Sequence, residues 1–247
     1  MKLSIIIPVY NEEKTLERLV EKILNMCLEG VKKEIIIVDD KSTDDTRNII
    51  KEKFSSLNAI VSIFHAEQKG KGQAIKTALK ICTGDLILIQ DGDLEYDPED
   101  YHKLIDCMIK NKAEVVYGSR LKNKKNKFKL IYLLANKFLT WLTNLLYASS
   151  LTDMETCYKL FKKDLLKNIV LKAKGFDFEA EVTARLLLKG INIYEVPINY
   201  NARGRKSGKK IGLNDGIIAI LILLKHRVKK IFNGHIESNN YYHNIKR

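Results

Sequence analysis

Short apolar runs alternate with amphipathic stretches along the first half of the chain. Residues 3–9 form a β-branched run that closes on Pro8 and the polar Tyr10-Asn11. Residues 34–38, 60–64, 85–89 and 114–117 are further runs of the same kind. Between them, residues 12–24 place Leu16, Leu19, Val20, Ile23 and Leu24 at helical spacing, and residues 46–54, 72–82 and 98–109 also read as helices. Ser42-Thr43-Asp44 supplies a helix start, and Pro98 suits a first helical turn. Strands that are apolar throughout, alternating with helices, predict an α/β fold with a parallel sheet covered on both faces. Ligands of such sheets sit at the carboxyl ends of the strands. The second half is more helical. Residues 130–147 and 178–189 read as helices and 191–196 as a strand, followed by a basic loop and a helix over 213–232. The polar residues 233–247 are expected to be a flexible tail.

Composition narrows this picture. The 247 residues are 45% hydrophobic, enough for a real core and too apolar for a disordered chain. No internal repeat or low-complexity linker divides them, so one domain is expected. The 43 Lys+Arg against 30 Asp+Glu leave a net charge of +13, which implies an anionic partner without naming it. Cysteines 27, 82, 107 and 157 show no C-x-x-C spacing and the five histidines no H-x-x-x-H pattern, which argues against zinc. The thiols are expected to be reduced and mostly buried. The N-terminus enters a strand directly, so no secretory signal is expected. The apolar run 217–224 is too short to span a bilayer, and 128–151 is interrupted by Lys129, Asn136 and Lys137.

The acidic residues carry the most chemistry. Asp91-Gly92-Asp93-Leu94-Glu95 directly follows a buried strand, so three alternate carboxylates can face one point. Such a set suits a hard divalent cation that also binds a diphosphate. Asp39-Asp40 ends the second strand, where it either caps the next turn or accepts hydrogen bonds from a nucleoside. Lys69-Gly70-Lys71-Gly72 precedes a helix and could bring cations and backbone N–H groups to phosphate. It is neither a P-loop nor a dinucleotide fingerprint. Three basic clusters follow, at 122–129, 203–210 and 225–230. The middle one, after a strand and Pro197, offers arginines that can clamp phosphate bidentately.

Taken in order, these motifs resemble a known family. Ile5-Ile6-Ile7-Pro8-Val9-Tyr10-Asn11-Glu12, Val38-Asp39-Asp40, Lys69-Gly70-Lys71-Gly72, Asp91-Gly92-Asp93 and Gly118-Ser119-Arg120 form one series. Thr152-Asp153-Met154-Glu155-Thr156-Cys157-Tyr158-Lys159 and the segment from Val196-Pro197 to Ile211 extend it. The chain resembles the family-two inverting glycosyltransferases of GT-A fold, most of all the dolichol- or polyprenol-phosphate mannose synthase group. The resemblance implies a GT-A-like domain over 1–211, followed by a basic amphipathic helix over 212–232 and the tail 233–247. It implies that Pro8, Tyr10, Glu12, Asp39 and Asp40 hold the nucleoside of a sugar nucleotide, with Lys71, Asp91 and Gly92 beside it. Asp91, Asp93 and Glu95 would ligate Mg²⁺ or Mn²⁺. Arg120, Arg203 and Lys209 would contact phosphates of donor or acceptor, and Asp153 would lie on the acceptor side. Gly92 stands where the group often has alanine, a departure expected to matter little.

The implied reaction is an inverting transfer of a hexose from a GDP- or UDP-sugar to a polyprenyl or dolichyl phosphate. A phosphate acceptor is already anionic and needs no strong base. With a saccharide hydroxyl as acceptor, Asp153 becomes the base. The helix over 213–232 carries a stripe of Leu213, Ile217, Ile220, Leu224, Val228 and Ile231, and its basic end suits an anionic membrane surface. A peripheral place on the cytoplasmic face of a membrane follows as an expectation. The rivals are a basic nucleic-acid-binding domain, which the acidic strand ends oppose, and a sugar nucleotidyltransferase, which lacks its Gly-rich opening segment here. The positive surplus after residue 120 favours phosphorylated lipid over nucleic acid. Oligomeric state is not readable.

Overall fold

A computed structural model describes residues 1–203 and 212–245. Strands β1 (Lys2–Val9), β2 (Lys32–Asp39), β3 (Ile60–Phe64) and β4 (Leu86–Ile89) form one half of a seven-stranded sheet. Strands β5 (Val115–Ser119), β6 (Lys159–Lys162) and β7 (Ile193–Pro197) form the other. The order is β3-β2-β1-β4-β6-β5-β7. All pairs are parallel except those of β6, which runs antiparallel to both β4 and β5. The sheet is therefore mostly parallel, as the resemblance implies, and its one reversed strand has no counterpart in the sequence pattern. Lys159 hides it. A lysine opening the run Lys159-Leu160-Phe161 breaks the apolar signature, yet its side chain is fully buried. Its Nζ donates to the carbonyl oxygens of Met154 (2.9 Å) and Thr156 and lies 4.4 Å from the centre of the Tyr117 ring.

Helices α1 (Leu16–Asn25), α2 (Thr46–Ile49), α3 (Lys71–Leu79), α4 (Tyr101–Lys110), α5 (Leu130–Tyr147), α6 (Lys163–Lys167), α7 (Phe178–Leu188) and α8 (Leu213–Ile245) cover the sheet. The amphipathic spacing works as expected in α1, where Leu16, Leu19, Val20 and Ile23 are buried. They join β1, β2 and β4, whose Ile5, Ile7, Ile37 and Ile87 are fully enclosed, in the main core. Two cysteines are buried, Cys82 and Cys157, while Cys107 is half-buried and Cys27 exposed.

Helix α8 is longer than the sequence pattern predicts. It runs past Phe232 to Ile245, through most of the segment expected to be a flexible tail. Its inward residues are Ala219 and Leu223, which pack with Leu139 of α5 and Ala180 and Ala184 of α7 in a second core. The expected stripe faces out at Ile217, Leu224 and Val228, joined by Ile218 and Leu221. Helix α5 behaves likewise. It turns Asn136, Leu139, Thr140 and Thr143 inward and exposes Leu130, Ile131, Leu134, Phe138, Trp141 and Leu145.

Candidate active site

The carboxyl ends of β1, β2, β4 and β5 open at one edge of the sheet. Because β6 is reversed, its entry segment, residues 152–158, arrives at that same edge. Asp91-Gly92-Asp93-Leu94-Glu95 leaves β4 here, and the segment that follows Pro197 crosses over it as a strap. Asn201 N donates to Glu95 O at 2.8 Å. The three carboxylates are sorted between two cations. Asp91 meets Lys71 Nζ at 2.6 Å, and the same ammonium meets Glu179 of α7 at 2.8 Å. Burial opposes ionisation of Asp91, but Lys71 outweighs it and holds the carboxyl below its ordinary value.

Asp93 and Glu95 belong to Arg203. Its Nη2 lies 2.5 Å from Asp93 Oδ2, and its backbone N donates to Glu95 Oε1 at 2.6 Å. Nη1 and Nη2 also clasp both oxygens of Glu12, at 2.9 and 3.1 Å. Burial, then repulsion by Asp91 and Glu95, pushes Asp93 up to about 7 despite the guanidinium. The donor set is all carboxylate oxygen, which hard divalent cations require, and a cationic side chain already stands in it. These residues fit the metal that the sequence implies. Among the described residues no three His, Cys, Asp or Glu side chains are drawn together as a closed metal cage.

Gly92 matters more than its neighbours suggest. A Cβ there would lie 2.4 Å from Val9 Cγ1, at the end of β1. Val9 is buried and β-branched, so it has little room to turn. An alanine at this position would displace the Asp91–Glu95 loop or the strand end beneath it, so glycine is the residue this packing accommodates.

Arg120 and Asp153 form the other half of the site. Arg120 Nε and Nη2 each donate to Asp153 at 2.7 Å, its backbone N donates at 2.9 Å, and Asn136 Nδ2 adds a fourth contact at 3.1 Å. Burial would raise the Asp153 carboxyl, but Arg120 holds it below its ordinary value. Tyr200 joins the two halves. Its hydroxyl donates to Glu95 Oε2 at 2.6 Å, its ring lies 5.1 Å from the Arg120 guanidinium, and Phe128 stacks on it at 5.4 Å.

The remaining predicted residues hold the frame. Asp39 is buried against Arg47 Nε at 2.5 Å. Asp40 accepts from His65 Nδ1, Lys69 N and Gly70 N at 2.7, 2.8 and 2.7 Å, so it fixes the basic turn. That turn is not a phosphate cradle. Gly72 N donates to Gly175 O and Gln73 N to Lys174 O, so the first N–H groups of α3 are engaged. Gly70 has φ +91° and would place a Cβ 2.4 Å from Lys174 O. Glycine is required there for backbone to meet backbone. Pro8 and Tyr10 are half-buried at the end of β1, and Lys209 lies outside the described residues. The sequence reading missed Tyr200, Glu179 and Asn136. None carries a motif, and only the fold brings them to the cleft. Glu155, pushed up to about 7 by burial and then by Glu179, was also not singled out.

Beside Arg203 is a cavity of about 250 Å³ lined by Lys127, Phe128, Lys129, Tyr132 and Ala202. A cation-rich cleft of this form can hold a diphosphate and a second phosphate group. A model of the family described as glycosyl transferase family 2 matches residues 4–170. The chain belongs to that family. This glycosyltransferase is 32% identical over 243 residues to the UDP-N-acetylglucosamine–dolichyl-phosphate N-acetylglucosaminyltransferase of Methanococcus voltae, covering 90% of this chain and 95% of that one. It is 30% identical over 218 residues to the dolichol-phosphate mannosyltransferase of Pyrococcus furiosus, covering 86% of this chain but only 60% of that protein. Its GT-A-like fold is shared with mannosyl-3-phosphoglycerate synthase from Rubrobacter xylanophilus. That likeness has a TM-score of 0.70 at 17% identity and covers 95% of this chain and 75% of that one. The glucosyl-3-phosphoglycerate synthase of Mycobacterium tuberculosis, solved with Mn²⁺, UDP and phosphoglyceric acid, gives 0.69 at 18% identity, with 92% and 78% covered.

Proposed function

We propose that this glycosyltransferase moves a hexose, with inversion, from a GDP- or UDP-sugar to the phosphate of a polyprenyl or dolichyl lipid. Two relatives named for dolichyl phosphate support the acceptor class. The observation that carries it to this chain is the exposed face of α5 and α8. Leu130, Leu134, Phe138, Trp141 and Leu145 make one stripe along α5, which begins directly after the cavity residues Lys127, Phe128 and Lys129. Ile217, Leu221, Leu224 and Val228 make another on α8, which packs against α5. Apolar surface on this scale marks a partner. Its setting of Lys125, Lys127, Lys129, Lys137, Lys225, Arg227, Lys229 and Lys230 suits an anionic bilayer. Among the described residues no helix is long and apolar enough to cross that bilayer, so the proposed contact is peripheral. A basic cavity opening onto an apolar helix is the shape an amphiphilic phosphate needs.

In this reading Asp91, Asp93 and Glu95 hold Mg²⁺ or Mn²⁺, with Glu12 beside them. The ion's contribution is to neutralise charge on the departing nucleoside diphosphate. Lys127 and Lys129 orient the acceptor phosphate, whose oxygen attacks the anomeric carbon as the glycosyl–diphosphate bond breaks. Arg120, held rigid by Asp153, and Arg203 supply positive charge where negative charge develops. Asp153, buried with four donors on it, is poorly placed to take a proton, so the hydroxyl-acceptor reading has less support.

The test is a panel of radiolabelled GDP- and UDP-sugars with Mn²⁺ or Mg²⁺, offered with short polyprenyl phosphates and with free oligosaccharides. Label should pass into the organic phase with one nucleotide series, and EDTA should abolish the transfer. Label appearing only on oligosaccharide would overturn the acceptor assignment.

A further inference from the structure

The seat between Glu12, Asp93 and Glu95 already holds a cation, and the chain itself supplies it. Arg203 forks onto both oxygens of Glu12 and reaches Asp93 Oδ2 with the same Nη2, while its main chain is tied to Glu95. We propose that Arg203 is a resident placeholder in the divalent-cation seat, displaced when a nucleoside diphosphate arrives with its cation, so that metal and donor bind as one unit. The inference rests on the metal-assisted nucleotide-sugar reading above.

Three observations point this way. The first is charge. One guanidinium faces three carboxyl groups, so acidic groups outnumber the cation that spans them. Asp91 is outside this balance because Lys71 already compensates it. The second is an imperfect fit. Arg203 Nε is buried without a hydrogen-bond partner, 3.8 Å from Glu95 Oε1 and too far to donate. A buried unpaired donor is costly, so the seat is not shaped around a guanidinium. The third is access. The Arg203 side chain is 19% exposed at the cleft and lines the adjoining cavity, so it can leave without unpacking the core. Once out, its planar fork matches the oxygens of a diphosphate. Metal alone therefore competes with Arg203, whereas metal with diphosphate offers the arginine a new anionic partner.

Binding of Mn²⁺, read from the loss of the free-ion electron paramagnetic resonance signal, tests this without turnover. Wild-type protein, Arg203→Lys and Arg203→Met are titrated with Mn²⁺ alone and again with GDP or UDP. Without nucleotide, Arg203→Met should bind Mn²⁺ at least about tenfold tighter than wild type, with Arg203→Lys in between. With nucleoside diphosphate, the wild type should close most of that gap. A purely structural clamp predicts the reverse, since loosening the strap would weaken the seat. If Arg203→Met melts early, Arg203→Lys carries the comparison, because it keeps the charge and loses the fork. Equal Mn²⁺ affinity in all three proteins overturns the placeholder and leaves the metal reading intact. No Mn²⁺ binding by any of them, even with nucleotide, takes both down.

Discussion

At Asp153 each carboxylate oxygen already accepts from Arg120, and Asn136 completes the set. A carboxylate so engaged orients a cation rather than removing protons. Asp153→Asn should therefore cost about 3–5 kcal/mol of unfolding free energy, because it leaves a buried guanidinium short of its counter-charge; urea titration measures this. Residual transfer should keep the wild-type pH profile. Disappearance of one limb of that profile would instead mark Asp153 as the base. Single residues also show where sequence reading stops. Asp91, Asp93, Glu95, Arg120 and Arg203 were legible because charged groups at strand ends of a parallel sheet converge. Tyr200 was not, since a tyrosine in Asn199-Tyr200-Asn201 looks like any loop aromatic until the segment after Pro197 is seen crossing the Glu95 carboxylate, which accepts the Tyr200 hydroxyl.

Among the elements, α5 and α8 do two tasks each. Their inner residues build the second core, and their outer residues form the apolar face next to the cavity. Trp141 is the chain's only tryptophan, 56% exposed on that face, so it reports directly on docking. Its emission should shift to the blue on phosphatidylglycerol vesicles and much less on phosphatidylcholine. Phe138→Glu with Leu145→Glu should weaken vesicle binding by at least about tenfold while leaving the fold intact, since each removes a buried-on-binding side chain. Unchanged flotation of that variant would remove the bilayer from the proposal. Periodicity located both helices but not the inward residues of α8, because its apolar positions cover most of its circumference. Which of them face inward depends on α5 and α7 and not on spacing. Strand β6 escaped for the opposite reason. Its buried Lys159 is neutralised by carbonyl oxygens and a ring that no local pattern announces, and burial lowers that lysine to about 8.

For the whole molecule, charge is distributed by function. Acidic groups gather at the strand ends, and much of the +13 excess lies beyond them. Glu181 shows how the far side is tied together. It accepts from Lys172 N, Ala173 N and Arg185, with His226 of α8 at 3.6 Å. Burial opposes its ionisation, but these contacts, led by His226, hold it down to about 2. A carboxyl depressed in the folded state stabilises the protein above its unfolded value of about 4.3. That contribution is lost as pH falls from there towards about 2. Glu181→Gln should therefore flatten the acid limb of the stability curve over this interval, as measured by chemical denaturation at a series of pH values. A limb as steep as the wild type's would show that other carboxyls set it.

The reversed strand has a consequence for how the protein is made. Strands β4 and β5 are neighbours in sequence but not in the sheet, because β6 lies between them. Until residue 162 has left the ribosome, both face solvent with unpaired edges, and the loop carrying Asp153 has no floor. The nascent chain must therefore keep these edges apart during roughly a sixth of its synthesis, the stretch in which such intermediates aggregate. Late insertion of one short strand joins β4 to β5 and brings Asp153 to the cleft, which β7, Tyr200 and Arg203 then complete.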